Sequence, residues 1–175
     1  MKNTGKIFED DLKKSIPDYV MITRLKDSSL NYNRTENSKY STNNPYDFLL
    51  WDSKHFKLYA LELKTVNKKS ISFERTEKDK GEIHYHQIDG LKIASSFDGV
   101  VAGFVIEFRE CRTTIFIEIN NFIILINSID KKSFNLSDLE NSNIDYEIIE
   151  QHIKRTRYSY DMDTFFKGKE KKNEN

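Results

Sequence analysis

Tyr59-Ala60-Leu61-Glu62-Leu63-Lys64-Thr65 is the stretch on which the reading of the fold turns. Upstream lies Asn44-Pro45-Tyr46-Asp47, and Asp52-Ser53-Lys54-His55 falls between the two as a turn. Residues 46–51 and 56–65 therefore read as the two strands of a hairpin. Residues two apart in a strand share a face, so Glu62 and Lys64 stand side by side. Tyr59, Leu61 and Leu63 point the other way, as core residues should. Asp47, on the adjoining strand, brings a second carboxylate beside Glu62.

Working outward, residues 4–16 space Ile7/Phe8, Leu12 and Ile16 at helical intervals, with Thr4 as the cap and Pro17 beyond. Residues 19–25 are rich in β-formers and predict a strand. From 26 to 44 the pattern collapses into Lys, Asp, Ser, Asn, Arg, Thr and Tyr, a long polar loop or protruding ribbon. Residues 67–81 form a second polar connector. Residues 83–97 carry a helical stripe, 100–108 and 113–119 read as strands, and 120–129 as helix. Residues 136–140, 145–154 and 160–166 predict further helical pieces. Together they make one domain over 1–166, a mixed α/β layer architecture, followed by a charged tail over 167–175.

The 175 residues, at 20.7 kDa, give one domain with room for a core, and their 13% aromatic content favours a packed chain over a disordered one. No run approaches the roughly twenty apolar residues of a membrane span. The lone Cys111 excludes an internal disulfide and makes a reducing cytoplasm the expected compartment. The 28 Lys+Arg balance the 28 Asp+Glu, but unevenly. Residues 1–80 hold 16 basic against 12 acidic side chains, and residues 81–175 the reverse, 12 against 16. Zero net charge thus leaves room for a localised DNA-binding face.

Two carboxylates and an ammonium at one sheet edge are the minimum equipment for metal-dependent phosphodiester hydrolysis. Mg²⁺ takes one or two carboxylates plus water and phosphate, and activates that water. A lysine beside it orients the water or serves as base. An Asp…Glu-x-Lys triplet alone occurs often by chance, and an exposed strand face is its other reading. Two features weigh against that reading. The strands are strongly apolar, where unpaired charge is costly, and a third acid, Glu9, sits on a helix whose apolar face would dock on the sheet.

The order of these pieces resembles the PD-(D/E)xK nucleases, and more closely the RecU-like Holliday-junction resolvases of Gram-positive bacteria and their phages. The matching residues are Gly5-Lys6-Ile7-Phe8-Glu9, Pro45-Tyr46-Asp47-Phe48, residues 59–65, and His86-Gln87-Ile88-Asp89-Gly90-Leu91. Gly103-Phe104-Val105-Ile106, Lys131-Lys132-Ser133-Phe134 and Arg157-Tyr158-Ser159-Tyr160-Asp161 continue the match. The resemblance implies a restriction-endonuclease-like core, an α/β fold with a mixed central sheet flanked by helices. It implies that Asp47, Glu62 and Glu9 hold Mg²⁺ (or Mn²⁺), that Lys64 serves the nucleophilic water, and that Gln87 orders the metal or water shell. It further implies a homodimer that nicks opposed strands of a four-way DNA junction, with residues 26–44 in the place of the family's stalk. This segment is shorter and richer in Asn and Ser than that stalk.

Arg24, Arg34, Lys39, Lys68, Lys69 and Arg75 lie in or beside the polar connectors and are candidate phosphate contacts. A solvated surface is the other reading of each. Tyr32 and Tyr40 are candidates for stacking on unpaired bases, or for anchoring the loop. His84 and His86, two positions apart on a helix, would stand roughly 200° apart around its axis, which is poor geometry for a shared zinc. Cys111 has no assigned role. A duplex-cutting nuclease of restriction or repair type and a non-catalytic DNA-binding protein of the same fold are the competing functions.

Overall fold

The computed structural model describes residues 3–25 and 44–168. Its centre is a six-stranded sheet in the order β1-β2-β3-β5-β6-β8. The strands are β1 (Val20–Arg24), β2 (Phe48–Asp52), β3 (Lys57–Val66), β5 (Val100–Phe108), β6 (Thr113–Glu118) and β8 (Glu147–Ile149). Only β3 and β5 run parallel; every other pair is antiparallel, so the sheet is mixed. The β3–β5 crossover carries β4 (Ser70–Ser72) and the helix α2 (Tyr85–Ser95). The fold is α/β, a mixed central sheet flanked by helices.

Helices cover both faces, so the central strands are buried on both sides and read as near-continuous apolar runs. On one face, α1 (Thr4–Ser15) and α5 (Met162–Gly168) pack Phe8, Leu12, Phe165 and Phe166 against Tyr59, Leu61, Leu63 and Val105. On the other, α2 and α3 (Ile119–Ser128) pack Leu91, Phe122 and Leu125 against Ala60, Phe104, Ile106 and Ile117. Gly103 is required by close approach, since a Cβ there would stand 2.3 Å from the Ile117 carbonyl oxygen.

Three local expectations are corrected. The cap of α1 is Asn3, whose side chain accepts from the Gly5 and Lys6 amides, rather than Thr4. The connector 67–81 contains β4, which pairs with β7 (Ser133–Asn135) ahead of the short α4 (Leu136–Asn141). Residues 145–154 are strands, not helix: β8 completes the main sheet and β9 (Gln151–Lys154) forms a hairpin with β10 (Arg157–Tyr160). The edge of β6 offers unpaired backbone groups, and Ile149 registers against Thr114 to satisfy them.

The β9–β10 hairpin pins α1. Asp11, 3% exposed, takes Arg157 Nε at 2.7 Å and the Tyr158 amide at 3.2 Å. Ser15 Oγ accepts from the Tyr160 amide at 3.0 Å. A buried carboxylate needs such partners, and here they fix the helix that carries Glu9.

Candidate active site

Antiparallel pairing sets Phe48 opposite Leu61, which leaves Asp47 just beyond the strand end beside Leu63. Asp47 Oδ2 accepts from the Leu63 amide at 2.9 Å, and the Asp47 and Glu62 carboxyls share a hydrogen bond. Lys64 Nζ lies 3.0 Å from Glu62 Oε1. Asp47, Glu62 and Lys64 therefore meet as the alternation in β3 predicts.

The helix α2 supplies the fourth group. Gln87 Nε2 donates to Glu62 Oε1 at 2.5 Å, while Gln87 Oε1 accepts from the His84 amide at 3.0 Å. The oxygen of the amide is thus committed to the start of α2, and its NH₂ must face Glu62. Glu74 braces that start: its carboxylate accepts from the Tyr85 amide at 2.8 Å, the Gly81 amide at 3.2 Å and His84 Nδ1 at 2.9 Å. Neither Glu74 nor Asp11 carries a sequence signal of its role, because each partner comes from tertiary packing.

Gly90 seats α2 against the loop that holds Asp47. A Cβ at Gly90 would fall 2.2 Å from Pro45 Cβ, two residues from the carboxylate. Only a bare backbone fits that contact.

Glu9 lies on α1 and forms an ion pair with Arg24 at 2.7 Å. Its link to the pair is electrostatic: burial raises its pKa, Arg24 opposes that, and the Asp47 charge raises it further. Among the described residues, no group of three or more His, Cys, Asp or Glu is placed to hold a metal ion. The donors brought together are Asp47 and Glu62, with Glu9 turned to Arg24.

Burial dominates the electrostatics. It pushes Glu62 up to about 8, with Lys64 opposing and the Asp47 charge adding to the rise. Asp47 is also raised by burial, against the pull of the Leu63 amide, Lys64 and Arg24. Their mutual hydrogen bond favours the acid at Glu62 and the anion at Asp47. Burial thus disfavours charge on both carboxyls, against the pull of Lys64.

The remaining predicted residues are dispersed. Lys68 pairs with Glu82 at 3.1 Å and Lys69 with Glu110 at 3.6 Å, both in exposed settings. Arg75 turns inward: Nη2 donates to the Ile126 carbonyl at 2.9 Å and its guanidinium also bonds the carbonyls of Ile129, Asp130 and Lys131. It closes the C-terminal end of α3, where carbonyls lack helical partners. Arg34, Lys39, Tyr32 and Tyr40, with the stalk-like segment up to residue 43, lie outside the described residues. His84 precedes α2, so helical spacing does not govern it. Its ring stacks on His86 with centroids 5.5 Å apart.

No family model matches the chain. A curated relative, the SPbeta prophage-derived uncharacterized protein YotM of Bacillus subtilis (strain 168), is 33% identical over 132 residues. The match covers 74% of this chain and 63% of that protein, so the chain spans less than two thirds of its relative. Among solved structures, the chain is similar to Hjc, a Holliday junction resolvase from Archaeoglobus fulgidus. The identity is 11%, the TM-score 0.48, and the match covers 78% of this chain and 91% of that one. No helix among the described residues is long and apolar enough to cross a membrane.

Proposed function

We propose that this chain is a Mg²⁺-dependent endodeoxyribonuclease acting on branched DNA, with the four-way junction as its substrate. The observation that carries the reading is the Asp47–Glu62 pair, in which Glu62 is buried, Asp47 is held by the Leu63 amide, and Lys64 and Gln87 flank the two. Such a pair fits a hard divalent cation. Two carboxylates are the protein's usual share of a Mg²⁺ shell.

Asp47 and Glu62 would hold the ion, with Glu9 as an outer acid. When bound, Mg²⁺ supplies Lewis-acid stabilisation of a phosphoryl oxygen and a more acidic water. The chain's own residues do the rest. Gln87 donates to Glu62 and fixes its carboxylate plane. The Leu63 amide does the same for Asp47. Lys64 Nζ stands beside the carboxylates, where it orients the water that attacks phosphorus in line. The products are a 5′-phosphate and a 3′-hydroxyl. Arg24, held by Glu9 and still half-exposed, offers a guanidinium to a neighbouring phosphate.

The test is cleavage of an end-labelled four-way junction in Mg²⁺, in competition with a linear duplex of the same sequence. Paired nicks in the junction, lost in Asp47→Asn and Glu62→Gln, are the expected result. Equal activity of either variant with the parent sinks the assignment. Preference for the linear duplex would move the enzyme to the restriction or repair type. Inactivity on both substrates together with absent Mg²⁺ binding would identify a non-catalytic DNA-binding protein.

A further inference from the structure

We propose that the β9–β10 hairpin and the neighbouring β5–β6 turn form a second contact for DNA, gripping the phosphate backbone of a duplex arm through Arg112, Lys154 and Arg155. The inference deepens the nuclease reading and rests on its DNA substrate. None of the three residues belongs to the carboxylate site.

Topology puts both features at the end of the sheet that holds Lys64. β5 runs parallel to β3 with Ile106 opposite Lys64, and Arg112 lies just beyond, in the turn into β6. β8 runs antiparallel to β6, so the chain leaves it toward that same end and enters β9. Thr114 Oγ1 donates to Gln151 Oε1 at 2.6 Å, which joins the root of the hairpin to the start of β6. A cavity of about 280 Å³ opens there, and its lining includes Arg112, Gln151 and His152. Glu150 lines it as well, so an anion is held from the tips rather than drawn inside.

The hairpin is a firm support with an uncommitted tip. α1 runs along the outer edge of β10, whose Tyr158 and Tyr160 amides donate to Asp11 and Ser15. Residues 152–156 are all exposed, and Lys154 and Arg155 form no ion pair among the described residues. Arg112 is exposed and likewise unpaired there, while Glu110 in the same turn faces Lys69. Residues 151–160 hold three Lys or Arg and no Asp or Glu, within the half of the chain that is acidic overall.

The backbone supplies an independent observation. Arg112 has φ of +52° and Arg155 φ of +59°. Turn positions with positive φ favour Gly or Asn, and arginine has no local advantage at either. Strain retained at two adjacent tips points to use of both guanidinium groups outside the chain. Their spacing fits a duplex. Four strand residues separate Gln151, beside Arg112, from Arg155, about 13 Å at 3.3 Å each. At about 3.4 Å per base pair along one strand, the two arginines reach phosphates roughly four steps apart.

Fluorescence anisotropy with a labelled linear duplex in EDTA, across about 50–200 mM NaCl, tests the contact without cleavage. Arg112→Gly/Arg155→Gly is expected to bind about tenfold more weakly at the low-salt end, and its plot of log K against log salt to flatten by about 1.8, or about 0.9 for each lost contact. Its melting temperature should stay at or above the parent's, because glycine takes positive φ freely; a merely structural role would lower it. Lys13→Ala/Lys92→Ala removes the same charge from exposed positions on α1 and α2 and should leave the slope unchanged. A parent that binds no duplex at ~100 µM, the weak limit of non-specific binding, overturns the proposal. So does a glycine variant with the parent's affinity and slope, or one whose loss Lys13→Ala/Lys92→Ala reproduces. Cleavage in Mg²⁺ is scored separately. Binding weakened in the glycine variant, with no cleavage by the parent, keeps the contact and fails the nuclease; cleavage by the parent, with binding unchanged in the glycine variant, does the reverse.

Discussion

Replacing Glu62 by Gln is expected to stabilise the metal-free protein at alkaline pH while abolishing its cleavage of DNA. Glu62 is 4% exposed, and its pKa rises from the ordinary 4.5 to about 8 on folding, chiefly through burial. The folded state therefore holds the proton more tightly than the unfolded chain does. This group's contribution is most favourable below pH 4.5, declines as pH climbs, and is least favourable above about 8. A displacement of that size corresponds to about 5 kcal/mol. The amide keeps the shape, can accept from Gln87 and can donate to Asp47, as the protonated acid does. The attraction of Lys64 is already contained in that displacement, so it is not subtracted again. The net gain above pH 8 is about 5 kcal/mol, or a rise in Tm of roughly 10–20 °C for a chain of this length. Thermal melts of parent and Glu62→Gln in EDTA at pH 5 and pH 9 measure it. The two proteins should nearly coincide at pH 5 and separate at pH 9. Millimolar Mg²⁺ should close the gap by raising the parent alone. A variant that melts below the parent by the same margin at both pH values would refute the electrostatic argument.

Lys64→Met should lower the cleavage rate by about a hundredfold or more with the fold intact, read from single-turnover kinetics and circular dichroism together. Gly90→Val should cost about 1–3 kcal/mol by overpacking against Pro45, and should weaken Mg²⁺ binding through the displaced Asp47, as calorimetry would show. Arg157→Ala leaves the Asp11 carboxylate buried without its cation and should destabilise by about 3–5 kcal/mol in urea unfolding. Adding Asp11→Ala to that variant should recover part of the loss.

The strands were legible where periodicity and burial agree. β5 coincides with its predicted bounds, because a run of apolar residues between Gly99 and the charged turn at Arg109 has no competing reading. The alternation in β3 likewise put Glu62 and Lys64 on one face, and the hairpin carried Asp47 to them. Residues 145–154 misled because Ile148, Ile149 and Ile153 sit at helical spacing, yet Ile148 and Ile153 are exposed. The decisive partner there is the edge of β6, more than thirty residues away. Arg75 misled for the same reason: its carbonyl partners stand 51 to 56 residues further on. Gln87 was legible as a residue, but not its orientation, which depends on the amide of His84 and the brace of Glu74.

The tie between Asp11 and Arg157 has a consequence for synthesis on the ribosome. The two residues are 146 positions apart, so α1 emerges long before its anchor. Until Arg157 and the Tyr158 amide are delivered, the Asp11 carboxylate has nothing to justify leaving water, and Glu9 has no fixed place beside Asp47. The proposed catalytic centre therefore assembles late, after the sheet that carries its carboxylates has been made. In the nuclease reading, a chain made in this order would be kept from cutting by its own unfinished packing.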